Sequence, residues 1–155
     1  MTKTPIRGSK ATKNGGAFER SFASYIQGHE RYAVASQVTV KGGKPDGRDC
    51  RLDTVIYDRQ TAERIIVSCK AQTSQGSVEE KMIYELFHLS HLVKSQFCQR
   101  AYLVLIGSGF SGLRRFIMSR QFKDFCPTLA WGEAWDGVEI LGFDDMVTRI
   151  QRETL

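Results

Sequence analysis

Apolar residues change period along this chain, and each change marks an element. Phe18, Phe22, Tyr25 and Ile26 fall on one face of a helix from about Ala17 to Gln27, which the Gly15–Gly16 pair precedes. Tyr32–Lys41 switches to a weak two-residue alternation (Val34, Ser36, Val38, Val40) and predicts a first strand. Arg51–Tyr57 and Arg64–Lys70 are apolar runs on either side of a polar, turn-like stretch at 58–62, and predict an antiparallel hairpin. Gly76–Lys94 returns to the helical period, with Val78, Met82, Ile83, Leu86, Leu89 and Val93 in one stripe. Ala101–Ile106 is apolar at every position, the mark of a central strand buried on both faces. There follow a helix over Ser111–Phe122, an irregular stretch with Trp131 and Trp135, and a strand at Val138–Gly142. A C-terminal helix, Asp144–Arg152, with Asp144 or Asp145 as N-cap, ends the chain. The fold class is therefore α/β, a central mixed sheet flanked by helices in the order αβββαβα plus a C-terminal βα. No internal repeat is visible, and residues 15–155 read as a single domain.

Polar residues at the mouths of the two hairpin strands stand out against so apolar a background. Centring the turn near Gln60 places Asp53 opposite Val67 or Ser68, one pair from Lys70. With a period of two, Ser68, Lys70 and Gln72 share one strand face while Val67 and Cys69 take the other. The following helix adds Glu79, which projects inside its apolar stripe; Glu80 lies at the edge and Lys81 outside. A carboxylate on a buried helix face is costly unless something cationic receives it. A metal shared with Asp53 meets that need, and so does Lys70. The alternative is that Glu79 only complements the helix dipole in the first turn.

These residues resemble the PD-(D/E)XK nuclease superfamily, whose members place an Asp at the start of one strand and an acid-x-Lys on the next. Ser68 stands where the second acid is expected, a departure seen in restriction enzymes that supply the carboxylate from the following helix. The string Ser68, Lys70, Gln72, Gly76, Ser77, Glu79 and Lys81 is similar to one branch of that family. The literal Pro45-Asp46 lies in a glycine-rich loop with no apolar strand after it, unlike Asp53. The resemblance implies a restriction-endonuclease-like core and a Mg²⁺-dependent endonuclease acting on double-stranded DNA, with Mn²⁺ able to substitute. It further implies Asp53 and Glu79 as metal ligands, with Glu19 of the first helix completing the set, and Lys70, Gln72 and Ser68 around the phosphate. Cutting both strands calls for two sites, hence a homodimer or higher symmetric assembly, or a heteromer with a separate specificity subunit. Holliday-junction resolvases, homing nucleases and repair nucleases share this core. A non-catalytic DNA-binding module that kept the fold is the rival from another class.

Composition agrees with this and narrows it. The 155 residues are 41% hydrophobic and 25% charged, ordinary for a globular domain with a real core. No apolar window is long enough to span a membrane and no apolar leader opens the chain, so a cytoplasmic protein is expected. Cys50, Cys69, Cys98 and Cys126 are widely spaced, which suits reduced thiols rather than disulfides or zinc. His88 and His91 are placed on the polar side of the second helix. The net charge of +5 and pI near 9.1 are compatible with nucleic acid. Residues 1–14 form a basic, flexible arm that includes Lys10 and Lys13. Gly107-Ser-Gly109-Phe-Ser-Gly112 matches a dinucleotide-binding fingerprint, but no second parallel strand with an acidic ribose ligand follows soon enough. A turn is the better reading, and with Arg114 and Arg115 just beyond, the helix start there is suited to a DNA phosphate.

Overall fold

A computed structural model of the chain describes residues 20–72, 78–107 and 137–155 and the positions 17, 112, 115, 119 and 121, with backbone alone at 78–80. A helical segment at 20–27 (α1) leads into β1 (Tyr32–Val40), β2 (Cys50–Asp58) and β3 (Arg64–Ala71). Helix α2 (Val78–Lys94), β4 (Arg100–Ile106), β5 (Val138–Gly142) and α3 (Phe143–Gln151) follow. The strands form one sheet in the order β1-β2-β3-β4-β5. β1, β2 and β3 are antiparallel neighbours, while β3, β4 and β5 run parallel. Gly112, Arg115 and Gln121 are helical, inside the stretch where the sequence predicts a helix before β5.

Each face of the sheet carries its own apolar core. Met82, Leu86, Leu89 and Leu92 of α2 pack on Leu52, Val55, Ile66, Ala101, Leu103 and Leu105. Phe22 and Ile26 of α1, with Met146 and Ile150 of α3, cover Ile56, Ile65, Val67, Cys69, Tyr102 and Val104. β4 thus feeds alternate residues into both layers, which is why its sequence is apolar throughout. The fully buried Ile56, Ile65, Leu92 and Leu103 anchor the two layers.

The weak alternation of β1 has a structural cause. Val34 belongs to the α1/α3 layer whereas Val38 and Val40 belong to the α2 layer, although all three share one parity. Between them Gln37 adopts a left-handed backbone, φ 57°. The β1–β2 ladder runs from Tyr32↔Asp58 to Ser36↔Thr54 and resumes at Val38↔Leu52, so Gln37 and Asp53 stand at an interruption. β2 changes phase at the same point, since Leu52 and Val55 both face α2. Such breaks re-aim side chains and concentrate beside functional sites.

Two expectations about helices are corrected. Helix α3 starts at Phe143 with Gly142 as N-cap and no side-chain cap, so Asp144 and Asp145 lie in its first turn and complement the dipole instead. Ile83 does not belong to the buried stripe of α2; it is 41% exposed. The basic arm, Trp131 and Trp135, and Cys126 lie outside the described residues; Cys50, Cys69 and Cys98 are not joined in disulfides.

Candidate active site

A cavity of about 350 Å³ opens on the α2 side of the sheet, between the ends of β2 and β3, the β1–β2 loop and α2. Asp53, Ser68 and Lys70 line it together. The antiparallel ladder ends at Thr54↔Val67, so Asp53 and Ser68 are the next residues along and diverge around the opening. Ser68 is buried and Lys70 half-buried. The Gln37 amide donates to Asp53 Oδ1 at 3.1 Å, so the break in β1 supplies the group that steadies this carboxylate.

Among the described residues, the acid that bridges Ser68 and Lys70 is Glu85. Its Oε1 accepts a hydrogen bond from Ser68 Oγ at 2.7 Å, and its Oε2 lies 3.6 Å from Lys70 Nζ. Sequence reasoning places a carboxylate from this helix at this spot but selects Glu79. The side chains of Glu79 and Glu80 lie outside the described residues. The sequence pattern points away from Glu85 because Ile83 falls within the apparent apolar stripe and Leu92 outside it, whereas the structure buries Leu92 and exposes Ile83. Exchanging the two turns the centre of the stripe by roughly 30°, from the Glu79 side to the Glu85 side. Glu85 lies three residues from Met82 and four from Leu89, both buried, which was the signal to use.

His88 requires a further correction. It lies on the buried side of α2, 8% exposed, and lines the cavity one turn beyond Glu85. Burial holds its imidazole below the usual histidine range, opposed by Glu85 and by a hydrogen bond to the Gly43 backbone. That bond favours the protonated ring, so the ring is the donor and the Gly43 carbonyl the acceptor. Nε2 is buried with no hydrogen-bond partner among the described residues. Gly43 is pressed so close that a Cβ there would meet Cys50 Sγ at 2.5 Å. This fixes the β1–β2 loop and brings Lys44 to the cavity wall. The Cys50 thiol beneath is pushed up by burial and stays protonated.

The residues present suit a hard divalent cation. Asp53 and Glu85 offer carboxylate oxygens at one opening. Among the described residues no three His, Cys, Asp or Glu side chains form a closed cage. Mg²⁺ does not need one, since it keeps several waters and takes one or two carboxylates plus a substrate phosphate.

Gln72 follows the end of β3 and is 7% exposed; it bonds through its backbone N–H to the Ile106 carbonyl and does not line the cavity. Glu19, Lys10, Lys13 and Arg114 lie outside the described residues, and Arg115 is exposed. Gly107 has φ 97°, and a Cβ on it would meet the Gln72 carbonyl oxygen at 2.3 Å, so the first glycine of the fingerprint-like string serves a close strand-end turn.

Comparison with known proteins supplies the family. A model of the PD-(D/E)XK nuclease superfamily domain matches residues 10–152. No curated protein matches the chain. Among solved structures, a protein of unknown function, AF1548, is similar at 13% identity and TM-score 0.48, over 83% of this chain and 58% of that one. SfsA of Pyrococcus furiosus, solved in complex with Ca²⁺, is similar at 16% identity and TM-score 0.44, over 81% of this chain and 56% of that one. The chain thus spans less than two thirds of either structure's length.

Proposed function

The chain belongs to the PD-(D/E)XK nuclease superfamily, and from that premise we propose that it is a Mg²⁺-dependent endonuclease that hydrolyses phosphodiester bonds in double-stranded DNA, of the type II restriction kind. The observation that carries this reading is the bridge from Glu85 to Ser68 and Lys70 in the cavity that Asp53 also lines. A helix carboxylate there makes good the acid that Ser68 lacks.

Asp53 and Glu85 would hold the ion, with Mn²⁺ able to substitute; the carboxylates of Glu79 and Glu19 are candidates for a further ligand. An ion bound there would supply Lewis-acid polarisation of the scissile phosphate and a more acidic water. Lys70 Nζ, aimed at the same opening, offsets charge that builds on the phosphate oxygens. Ser68 Oγ donates to Glu85 and so orients that carboxylate. Gln72 braces the end of β3 behind Lys70. Lys44 and Arg51 rim the cavity as cationic contacts for neighbouring phosphates, with Arg114, Arg115, Lys10 and Lys13 extending that track. Two copies acting on opposite strands make the working unit a symmetric dimer or higher assembly.

Incubation with supercoiled plasmid tests this. With Mg²⁺ the chain is expected to give discrete linear fragments, and without it, or as Asp53→Ala or Lys70→Ala, none. Both variants keep the fold and most DNA affinity. Salt-sensitive retention of DNA without cleavage would instead identify a binding module, and wild-type cleavage by either variant would remove the site assigned here.

A further inference from the structure

We propose that Arg48, in the loop between β1 and β2, is a base-reading residue: its guanidinium donates to O6 and N7 of a guanine in the major groove beside the scissile phosphate. The inference rests on the reading of the cavity given above and adds to it a determinant of sequence preference outside the acid and lysine residues.

The Pro45-Asp46 pair, which takes no part in the cavity, has a role here. Asp46 Oδ2 accepts from Arg48 Nε at 2.8 Å and lies 2.6 Å from Nη2. Through Oδ1 the same carboxylate also accepts the Arg48 backbone N–H, at 3.0 Å. The side chain so held is nonetheless 71% exposed, and that of Asp46 45%. An ion pair this exposed contributes little to stability. What it does is fix direction. Asp46 engages the guanidinium on its Nε–Nη2 side, which leaves the edge formed by Nη1 and Nη2 for another partner. The two parallel N–H donors of that edge match O6 and N7 of guanine. In the major groove adenine offers one acceptor beside a donor, thymine one acceptor and cytosine a donor, so only guanine takes both hydrogen bonds.

The loop carries this pair to the border of the cavity and holds it there. Lys44 before Arg48, and Cys50 and Arg51 after it, all line the cavity. The Lys44 N–H bonds to the Arg48 carbonyl at 3.0 Å and the Gly47 N–H to the Lys44 carbonyl at 2.9 Å, which ties Arg48 to the cavity wall. Gly47, at φ 84°, makes the left-handed reversal between Asp46 and Arg48. At the base of the loop the Gly42 N–H bonds to Asp49 Oδ1 at 2.9 Å, and Gly43 is packed against Val40 and Cys50. Lys44 and Arg51, on the wall itself, are placed for phosphates. Arg48 is beside them but not among the lining residues, and a duplex with a phosphate in the cavity brings its adjoining groove over the loop.

The test is a selection read at single-base resolution. Duplexes with a randomised centre are cleaved with Mg²⁺ and, in parallel, retained on the chain in EDTA, and both pools are sequenced. The wild-type chain is expected to enrich guanine at one fixed position in both pools, and Arg48→Ala to lose that enrichment while the rest of the profile stays. On the preferred duplex Arg48→Ala should lower kcat/KM by about 10–100-fold. Replacing that guanine with 7-deazaguanine, which lacks the N7 acceptor, should slow the wild type and leave Arg48→Ala unmoved. Arg48→Lys keeps the charge but not the fork and should behave like Arg48→Ala; Asp46→Asn, which frees the fork, should relax the preference part of the way. An Arg48→Ala variant that loses activity equally on every duplex, or rescue by Arg48→Lys, identifies a phosphate contact and overturns the proposal. So does a wild-type chain that cuts without enriching guanine, which leaves the cleavage site standing. If nothing is cut, yet guanine is enriched among the retained duplexes and lost with Arg48→Ala, the base contact stands and the catalytic reading falls.

Discussion

Glu85 is the residue on which the proposed chemistry turns, because a single carboxylate receives both the Ser68 hydroxyl and the Lys70 ammonium. Removing it leaves Lys70 without its anion and the proposed metal with one carboxylate fewer. Glu85→Ala should therefore cut the cleavage rate by more than about 100-fold and weaken Mg²⁺ binding measured by calorimetry. Glu79→Ala, which removes a candidate further ligand, should cost less than Glu85→Ala. If Glu79→Ala is inactive and Glu85→Ala is not, the assignment of the helix carboxylate reverts to Glu79. Gln37 offers a finer test of the same opening. Its left-handed backbone costs a non-glycine residue about 1 kcal/mol, while its amide steadies Asp53 at 3.1 Å. Gln37→Gly relieves the first and deletes the second. The melting temperature should hold or rise while kcat falls several-fold, a split that a purely structural role for Gln37 does not produce.

Elements explain which parts of this were legible in advance. The apolar run of β4 and the polar turn between β2 and β3 are strong local signals, and the hairpin register followed from counting across that turn. Asp53, Ser68 and Lys70 could be brought to one opening because strand parity leaves two choices only. The helix was harder. An α2 residue has a continuous angle rather than a parity, and one exposed isoleucine, Ile83, was enough to move the stripe from Glu85 toward Glu79. His88 was placed on the wrong side for the same reason. The interruption at Gln37 was not legible at all, since a residue other than glycine with positive φ announces itself only as a faltering alternation. The α2 layer also has an energetic consequence. Leu89 is 1% exposed and packs over β3 and β4 beneath the helix turn that carries Glu85 and His88. Leu89→Ala should cost about 2–5 kcal/mol in chemical denaturation. Because the cavity tilts with its helix, residual activity should fall more than the folded fraction does.

At the scale of the whole molecule, the end of the sheet away from the cavity is tied to the chain's last residues by charged side chains. Asp58 ends β2 fully buried, with both oxygens held by the Arg31 guanidinium at 2.7 to 3.1 Å and Oδ1 also accepting from the Gln60 N–H. Arg31 donates in addition to the Glu153 carbonyl, and Arg100 to the Leu155 carbonyl, so Leu155 is drawn into the α1/α3 layer. The Arg31 guanidinium, joined by the Gln60 and Thr61 N–H groups, holds the Asp58 carboxyl far below the usual carboxylate range. The linkage has a definite sign. A folded-state pKa depressed below an unfolded value of about 3.9 gives stability that is complete above about pH 5. That contribution is lost as pH falls from there toward the folded value. Asp58→Asn leaves the guanidinium facing a neutral amide and should lower the melting temperature by roughly 10 °C at pH 7. The gap between wild type and variant should narrow steadily below about pH 4, because acid removes from the wild type what the substitution has already removed. Thermal melts of both proteins from pH 7 to pH 2.5 check this. A gap that stays constant over that range would mean that Asp58 acts through its turn hydrogen bonds rather than through its charge. Asp58 stands at the opposite end of β2 from the residues that line the cavity, so the DNA affinity of the folded variant should be unchanged, which separates the stability of this fold from the chemistry proposed for it.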